Sequence, residues 1–475
     1  MRHVTSIVLA LLVAGSLLLA ARLWAPDRTV HAPLAGAYRY PIPGTVAGLT
    51  TGDLAQPWRM IVHFGAARSA VLADPGDPHY ISVWADTLAV LPDLGPSSAP
   101  ATLKGAEGCA ALAQQAPYSL ELALGERLSW STWASLWGLG ATGSSPSSAS
   151  PPVDRLLIVP AVPASGRSPA AALGATICRY VGTDAARYSV APNPAMGNLT
   201  RELAALRSLP LDYDVVPLPP VAGLGLRPGI DVPVPGFARG SVKVQPETIS
   251  PRHMLAALFP PTASVRRTTG LDGLQNYSDG LADLHLGGGG SLQYAVGAPP
   301  TVDPEAPGQA LLAAASFVDQ AGGWPPTGVL FDLAAIPQPG SFSLHGGEAA
   351  HSGYRITFTE RWRGLPLLAD PPPIAIDVGA PGVLAYTRQV SVPEQEQPAQ
   401  PFLPAARALA DLAAAWPLAA SGSDRIVVDV FPAYLPSGDG KLWLPVWGVE
   451  LQDGSIVALS ATTGATLDVL RPQGG

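Results

Sequence analysis

His345-Gly-Gly-Glu348-Ala-Ala-His351 gathers two imidazoles and a carboxylate in one short stretch. These are zinc-compatible ligand types. The glycines, however, break any helix that would put all three on one face, and no HExxH accompanies them. The simpler reading is a solvated hairpin loop between strands at 329–336 and 354–362, with His345, Glu348 and His351 as the best metal candidates. Asp74, Asp77 and His79 could also meet a cation, but Asp-Pro-Gly-Asp-Pro already makes a turn and a helix cap. Gly287–Gly290 lies between two strand-like runs and lacks a following GK[ST], so it reads as a hairpin turn and not as a phosphate cradle. There is no G-x-S-x-G elbow, and neither Cys109 nor Cys178 has a histidine beside it in sequence. No catalytic residue and no cofactor are assigned, and the chain reads as a protein that works by contact and not as an enzyme.

Those residues need elements to hold them. At 475 residues the chain exceeds one ordinary domain. Hydrophobic residues make up 47% and charged residues 13%, enough apolar matter to build cores and exclude general disorder. The 52 prolines and 50 glycines favour short strands, turns and stiff loops over long helices. A net charge of −8 without a basic run argues against nucleic acid as a partner. Two cysteines are too few for a disulfide scaffold. If Cys109 and Cys178 pair, the closed loop would add about 4 kcal/mol; the sequence leaves open whether they meet.

Met1-Arg2-His3 precedes an apolar run from Val4 to Ala21, just long enough for a tilted membrane span, with Arg22 and Trp24 suited to its outer end. A cleaved signal peptide is the rival reading, since Leu19-Ala20-Ala21 is a passable cleavage site. Either way the bulk of the chain lies outside the cytoplasm. Ala10 and Ala14, and likewise Ser16 and Ala20, stand one helical turn apart, a spacing that lets a partner helix approach closely.

Residues 26–56 read as an extended stalk. A strand is expected at Trp58–Ala66, a helix capped by Asp77 after the next turn, and a strand-like run at Tyr118–Leu124. Another strand is expected at Asp154–Pro160, and a helix at Asn198–Leu209 with apolar residues in one stripe. The proline-rich tract 217–236 reads as a boundary, and Ser250-Pro251 opens a helix at 251–258. Three short strands and a helix follow between Leu258 and Pro325. The last part of the chain reads as a repeat. A helix (Gln309–Gln320) precedes strands to Val390, and a second helix (Ala405–Trp416) precedes strands to Leu470.

Four pieces in fixed order carry a family resemblance. They are Leu258-Phe259 leading to Val265-Arg266, the turn Tyr277-x-Asp279-Gly280, a strand ending in Tyr294, and Gly322-Gly323-Trp324-Pro325. Together they resemble the YycH family, single-pass accessory regulators of the WalK (YycG) sensor histidine kinase. The likeness continues through Tyr354-x-x-x-Phe358, Gly364-x-Pro366 and Tyr386-x-Arg388, and more faintly through Ile61-Val62-His63 and Tyr80 to Trp84. Pro445-Val-Trp-Gly-Val-Glu-Leu-x-Asp-Gly, with Thr463-Gly464 and Leu467, resembles the strand pair of PepSY-type domains.

The expected fold class is α+β: a single N-terminal transmembrane helix, then a multidomain extracytoplasmic region of antiparallel sheets with packed helices, its C-terminal half made of PepSY/YycI-like repeats. The expected divisions are an anchor or signal at 1–25, a stalk at 26–56, an N-terminal domain at 57–236, a central domain at 241–395 and a PepSY-like domain at 396–475. The resemblance implies a single-pass protein of the cell membrane that regulates a WalK-like kinase and thereby cell-wall homeostasis. It implies contacts with that kinase through the anchor helix and the ectodomain, and with a YycI-like companion. Two alternatives remain: an extracytoplasmic module that binds a ligand or peptide, and a secreted metal-dependent hydrolase using the His345 cluster.

Overall fold

The computed structural model describes residues 50–94, 101–103, 107–139, 152–161, 173–181, 184–270, 273–297, 306–325, 329–337, 351–379, 382–415 and 426–470. The expected anchor with Ala10, Ala14, Ser16 and Ala20, most of the stalk, and both His345 and Glu348 lie outside them. No helix among the described residues is long and apolar enough to cross a membrane.

Local signals are honoured where they are strong. Asp77 accepts a hydrogen bond from the His79 backbone N–H at 2.7 Å, and Pro78 begins the helix Pro78–Val90. Asn193 caps the helix Pro194–Leu206 in the same way, and Leu199, Leu203 and Leu206 form its buried stripe. Ser250 caps the helix Pro251–Leu258. The end of the expected stalk departs from expectation. Residues Thr51–Leu54 form a short helix, Ala55 is fully buried, and Trp84 and Trp137 donate their indole N–H groups to the carbonyls of Gly52 and Ala55. Two tryptophans anchored on these carbonyls draw the segment into the core.

Among the described residues there are three large sheets and one two-stranded ladder, Ala238–Arg239 with Gln400–Pro401. The N-terminal sheet is wholly antiparallel, in the spatial order Asp231–Pro233, Tyr213–Pro217, Ser69–Leu72, Arg59–His63, Ser119–Ser129, Pro152–Pro160, Leu173–Val181, Asp184–Asn193, Ala101–Leu103. Both faces are covered. On one, Val62, Leu120, Leu156 and Ile158 pack under the two capped helices. On the other, Leu157 and Val159 meet the helix Glu107–Gln115, while Ile61 and Val71 meet the C-terminal sheet.

The central sheet holds four consecutive strands where three were expected: Arg266–Thr269, Gln275–Ser278, Ala282–Leu286 and Leu292–Val296. Ala282, Leu284 and Leu286 point inward while Asp283 and His285 point to solvent, the period-two pattern of a half-covered strand. The sheet continues through Gly382–Arg388, Ile374–Gly379, His351–Trp362 and Val329–Pro337. The helix Pro307–Gln320 lies across it and shares one core with the N-terminal domain, where Trp133 stacks on Trp137 and meets Phe331 edge-on. A hairpin of this domain also plugs into the first. Arg363 and Gly364 both take positive φ at its tip, and a Cβ on Gly364 would come within 2.7 Å of the Ala73 Cβ and 2.9 Å of its carbonyl carbon. Beside it the buried Arg361 donates to the Ala73 carbonyl.

The C-terminal sheet has the order Ser391–Glu396, Val242–Pro246, Leu442–Leu451, Ile426–Pro436, Gly225–Leu226, with Ile456–Ser460 and Thr466–Leu470 continuing from Leu442–Leu451. The helix Ala405–Ala415 buries Ala405, Ala408, Leu409 and Leu412 against it. Strands Val242–Pro246 and Ser391–Glu396, at the two ends of the expected central domain, therefore belong to this last sheet. The tract 217–236 is no mere boundary either. Gly225–Leu226 pairs parallel with Ile426–Pro436, and Asp231–Pro233 edges the N-terminal sheet, so one stiff segment is stitched to two sheets.

Candidate functional site

Between the N-terminal sheet, the helix Glu107–Gln115 and the tract 217–231 lies a cavity of about 390 Å³. His63, Ser69, Gln114, Glu121, Arg227 and Asp231 line its polar side, and Leu218, Val221 and Leu224 contribute to its apolar side. His63 and Asp231 are each 5% exposed and Glu121 is 3% exposed. Sheet register brings these groups together. His63 pairs with Ser69 on one side, and Ile61, its neighbour on the same face, pairs with Glu121 on the other. His63 Nδ1 lies 2.9 Å from Ser69 Oγ and 3.9 Å from Asp231 Oδ2, while Nε2 lies 3.7 Å from Glu121 Oε2 and has no hydrogen-bond partner among the described residues.

Behind this floor runs a buried ion network. Arg155 reaches Glu121 at 2.6 Å and Asp429 at 3.1 Å, Arg59 reaches Asp429 at 2.6 Å, and Arg227 reaches Asp154 at 2.6 Å. Arg227 also donates its backbone N–H to the Val427 carbonyl, so the network fastens the C-terminal sheet to the N-terminal one. A network of this kind specifies a pairing more than it adds net stability, because desolvation offsets most of the Coulomb attraction.

The environment moves the titrations apart. Burial alone would lower the His63 pKa, but the carboxylates of Glu121 and Asp231 outweigh it and hold the imidazole above its ordinary value. Burial pushes Asp231 up to about 6, against the opposing pull of His63. Glu121 and Asp429 move the other way. Burial would raise both, yet Arg155 and His63 hold Glu121 low, and Arg59 and Arg155 hold Asp429 low.

The signs follow from linkage. Asp231 and His63 bind protons more tightly when folded, so their stabilisation is present at low pH and is lost as pH rises through their folded values. For Asp231 that loss is complete just above pH 6; for His63 it begins above the ordinary histidine value of about 6.5. Glu121 and Asp429 lose theirs only as pH falls below the ordinary carboxylate range. The melting temperature is therefore expected to decline from pH 6 to 8, and His63→Gln to flatten that decline. Thermal denaturation across the window checks this; a melting temperature that rises with pH in the wild type contradicts it.

The residues singled out from sequence serve the fold. Asp74 and Asp77 accept from backbone N–H groups of their own turn and cap. Gly289 and Gly290, both at positive φ, close the hairpin after Ala282–Leu286. Tyr277 is buried, Asp279 accepts from the N–H groups of Leu281 and Ala282, and Gly280 takes positive φ. Tyr294 is buried edge-on to Phe259. Val265 is half-buried, whereas Arg266 is exposed on the edge strand. Arg388 makes a two-pronged pair with Glu247 and donates to the Gly323 carbonyl, while Trp324 meets Phe358 edge-on and Pro325 is buried. The Gly-Gly-Trp-Pro piece thus pins the end of the helix Pro307–Gln320 to the central sheet. Cys109 and Cys178 form a disulfide. His351 begins a strand, with its expected partners His345 and Glu348 outside the described residues.

The cavity floor was not foreseen. Its one signal in the sequence is a charge set inside an apolar strand run, as in Leu120-Glu121-Leu122 and Val428-Asp429-Val430.

No family model matches the chain, and no curated protein matches it. Among solved structures, YycH from Bacillus subtilis aligns with a TM-score of 0.52 at 13% identity, covering 89% of this chain and 99% of that one. A protein from Eubacterium rectale aligns at a TM-score of 0.34 and 9% identity, over 54% of this chain and 89% of its own. The Bacillus megaterium YpeB C-terminal domain aligns at 0.30 and 11%, over 47% and 93%; neither of these two likenesses bears on the argument. With most of both chains aligned to YycH, the fold of this chain is YycH-like.

Proposed function

We propose that this chain is a membrane-anchored, extracytoplasmic regulator of a WalK-like sensor histidine kinase involved in cell-wall homeostasis. It acts by contact and not by catalysis, alongside a YycI-like companion. The observation that carries this reading is the YycH-like fold, which extends over nearly the whole of both chains. The Cys109–Cys178 disulfide supports the location, since such bonds persist in oxidising compartments. In this reading residues 1–25 are the anchor, and Ala10, Ala14, Ser16 and Ala20 are the face it offers to the kinase's own helices. The two units of one helix followed by four strands, from Pro307 and from Ala405, are PepSY-like.

An accessory protein changes kinase output only by binding one kinase state better than the other, and a coupling of about 1–3 kcal/mol suffices for a several-fold change. The test is co-purification from native membranes, comparing the tagged full chain with one carrying an unrelated membrane helix. A histidine kinase recovered with the first and lost with the second is the expected result. Recovery of no kinase with either chain would end the regulator reading.

A further inference from the structure

The cavity beside His63 goes beyond regulation by protein contact. We infer that it binds a small primary amine, with the ammonium between Asp231 and Glu121 and a short apolar stem against Leu218, Val221 and Leu224.

The volume of about 390 Å³ falls in the range of small-ligand sites, which combine apolar walls with a few convergent polar groups. Charge balance selects the ligand. Among the described residues of the cluster, Arg59, Arg155 and Arg227 face four carboxylates: Asp154, Glu121, Asp231 and Asp429. Arg59 and Arg155 converge on Asp429, Arg155 also holds Glu121, and Arg227 holds Asp154. Among the described residues Asp231 makes no arginine pair, and its one ion-pair partner is His63, 3.9 Å away. The cluster is therefore one cation short unless His63 carries a proton. An anionic ligand would meet Glu121 and Asp231 at the floor, and a neutral one would leave the deficit in place. An ammonium supplies the missing charge and three donors, for which Asp231, Glu121 and the Ser69 hydroxyl are acceptors.

The proton balance follows. Where His63 is protonated, the incoming ammonium and the imidazolium compete for the same two carboxylates, so binding expels the His63 proton to the buffer. The other charged groups around His63 and Asp231 are Glu121, Arg155 and Arg59, with Arg227 on the cavity wall beside them, and all four are held in ion pairs. Binding should therefore strengthen as pH rises from 6 to 8, the direction opposite to that of stability. Two walls of the cavity are stitched down, the helix Glu107–Gln115 by the disulfide and the tract 217–231 by its strands in two sheets. The site is preformed.

The test is calorimetric titration of the purified full chain, in a non-ionic detergent, with n-butylamine, 1-butanol and butyrate. The expected result is saturable binding of the amine alone, at least tenfold tighter at pH 8 than at pH 6. At pH 7 the heat should differ between phosphate and Tris buffers by the amount that proton release dictates, and His63→Gln should remove that difference. Asp231→Asn should weaken binding at least tenfold. Leu224→Trp, which fills the cavity and leaves every charge in place, should abolish it and serves if the aspartate variant fails to fold. No saturable amine binding, equal binding of butanol or butyrate, or unchanged affinity in Leu224→Trp would each overturn the assignment.

Discussion

Replacing Arg155 with methionine is expected to cost about 3–5 kcal/mol of folding free energy, the usual cost of breaking a buried pair from one side. Arg155 is 1% exposed on a central strand of the N-terminal sheet. Its guanidinium meets Glu121 at 2.6 Å, Asp429 at 3.1 Å and the Gly229 carbonyl at 2.9 Å. Methionine fills much of the space but leaves Glu121 charged and without its arginine, while Asp429 keeps Arg59. The folded state's margin is about 5–15 kcal/mol, so the loss would consume a large part of it. Arg155→Lys should be intermediate, because a point charge cannot bridge two carboxylates as the planar fork does. Arg155→Met with Glu121→Leu should recover much of the loss, since the orphaned carboxylate is then gone. Urea denaturation of the four proteins checks this. A loss under about 1 kcal/mol for Arg155→Met would mean that water reaches Glu121, contrary to the burial found here.

Replacing Cys109 and Cys178 together with alanine is expected to lower stability by about 4 kcal/mol. The bridge joins residues 69 apart, tying the helix Glu107–Gln115 to the strand Leu173–Val181. In the unfolded chain it removes the freedom of that long loop, which is the main source of its effect. In the folded chain both cysteines are fully buried among Leu157, Val159 and Tyr180, so the thiols should resist a mild reductant until the chain unfolds. Denaturation with and without reductant, together with thiol counting, gives both numbers. An unchanged transition after complete reduction would show that the bridge contributes nothing.

The features legible in the sequence are those whose physics is local. Asp77-Pro78, Ser250-Pro251 and the glycine run at 287–290 act within a few residues, and each sits where its chemistry requires. The two helix-then-strands units were legible because apolar periodicity spans a whole element. The candidate site was not. Arg59, Glu121, Arg155 and Asp429 each look like an outward residue of a half-buried strand, and only the register of Ile61 with Glu121 and of Ala123 with Arg155 converts them into one interior cluster. The tract 217–236 misled for a related reason. Its prolines mark stiff, irregular chain, but not that the stiffness is used to span two sheets. Val242–Pro246 likewise has partners that nothing near it in sequence announces.

That last strand sets an order of events. Val242 pairs with Trp443, and the strand's other edge is filled by Ser391–Glu396. A chain emerging amino end first from a ribosome or a translocation channel presents Val242–Pro246 long before either partner exists. Two open strand edges in a partly emerged chain invite pairing with other chains. Maturation of this fold therefore waits on the arrival of its final segment, and any helper that meets the chain during emergence has the alternating stretch around Val242 and Val244 to guard.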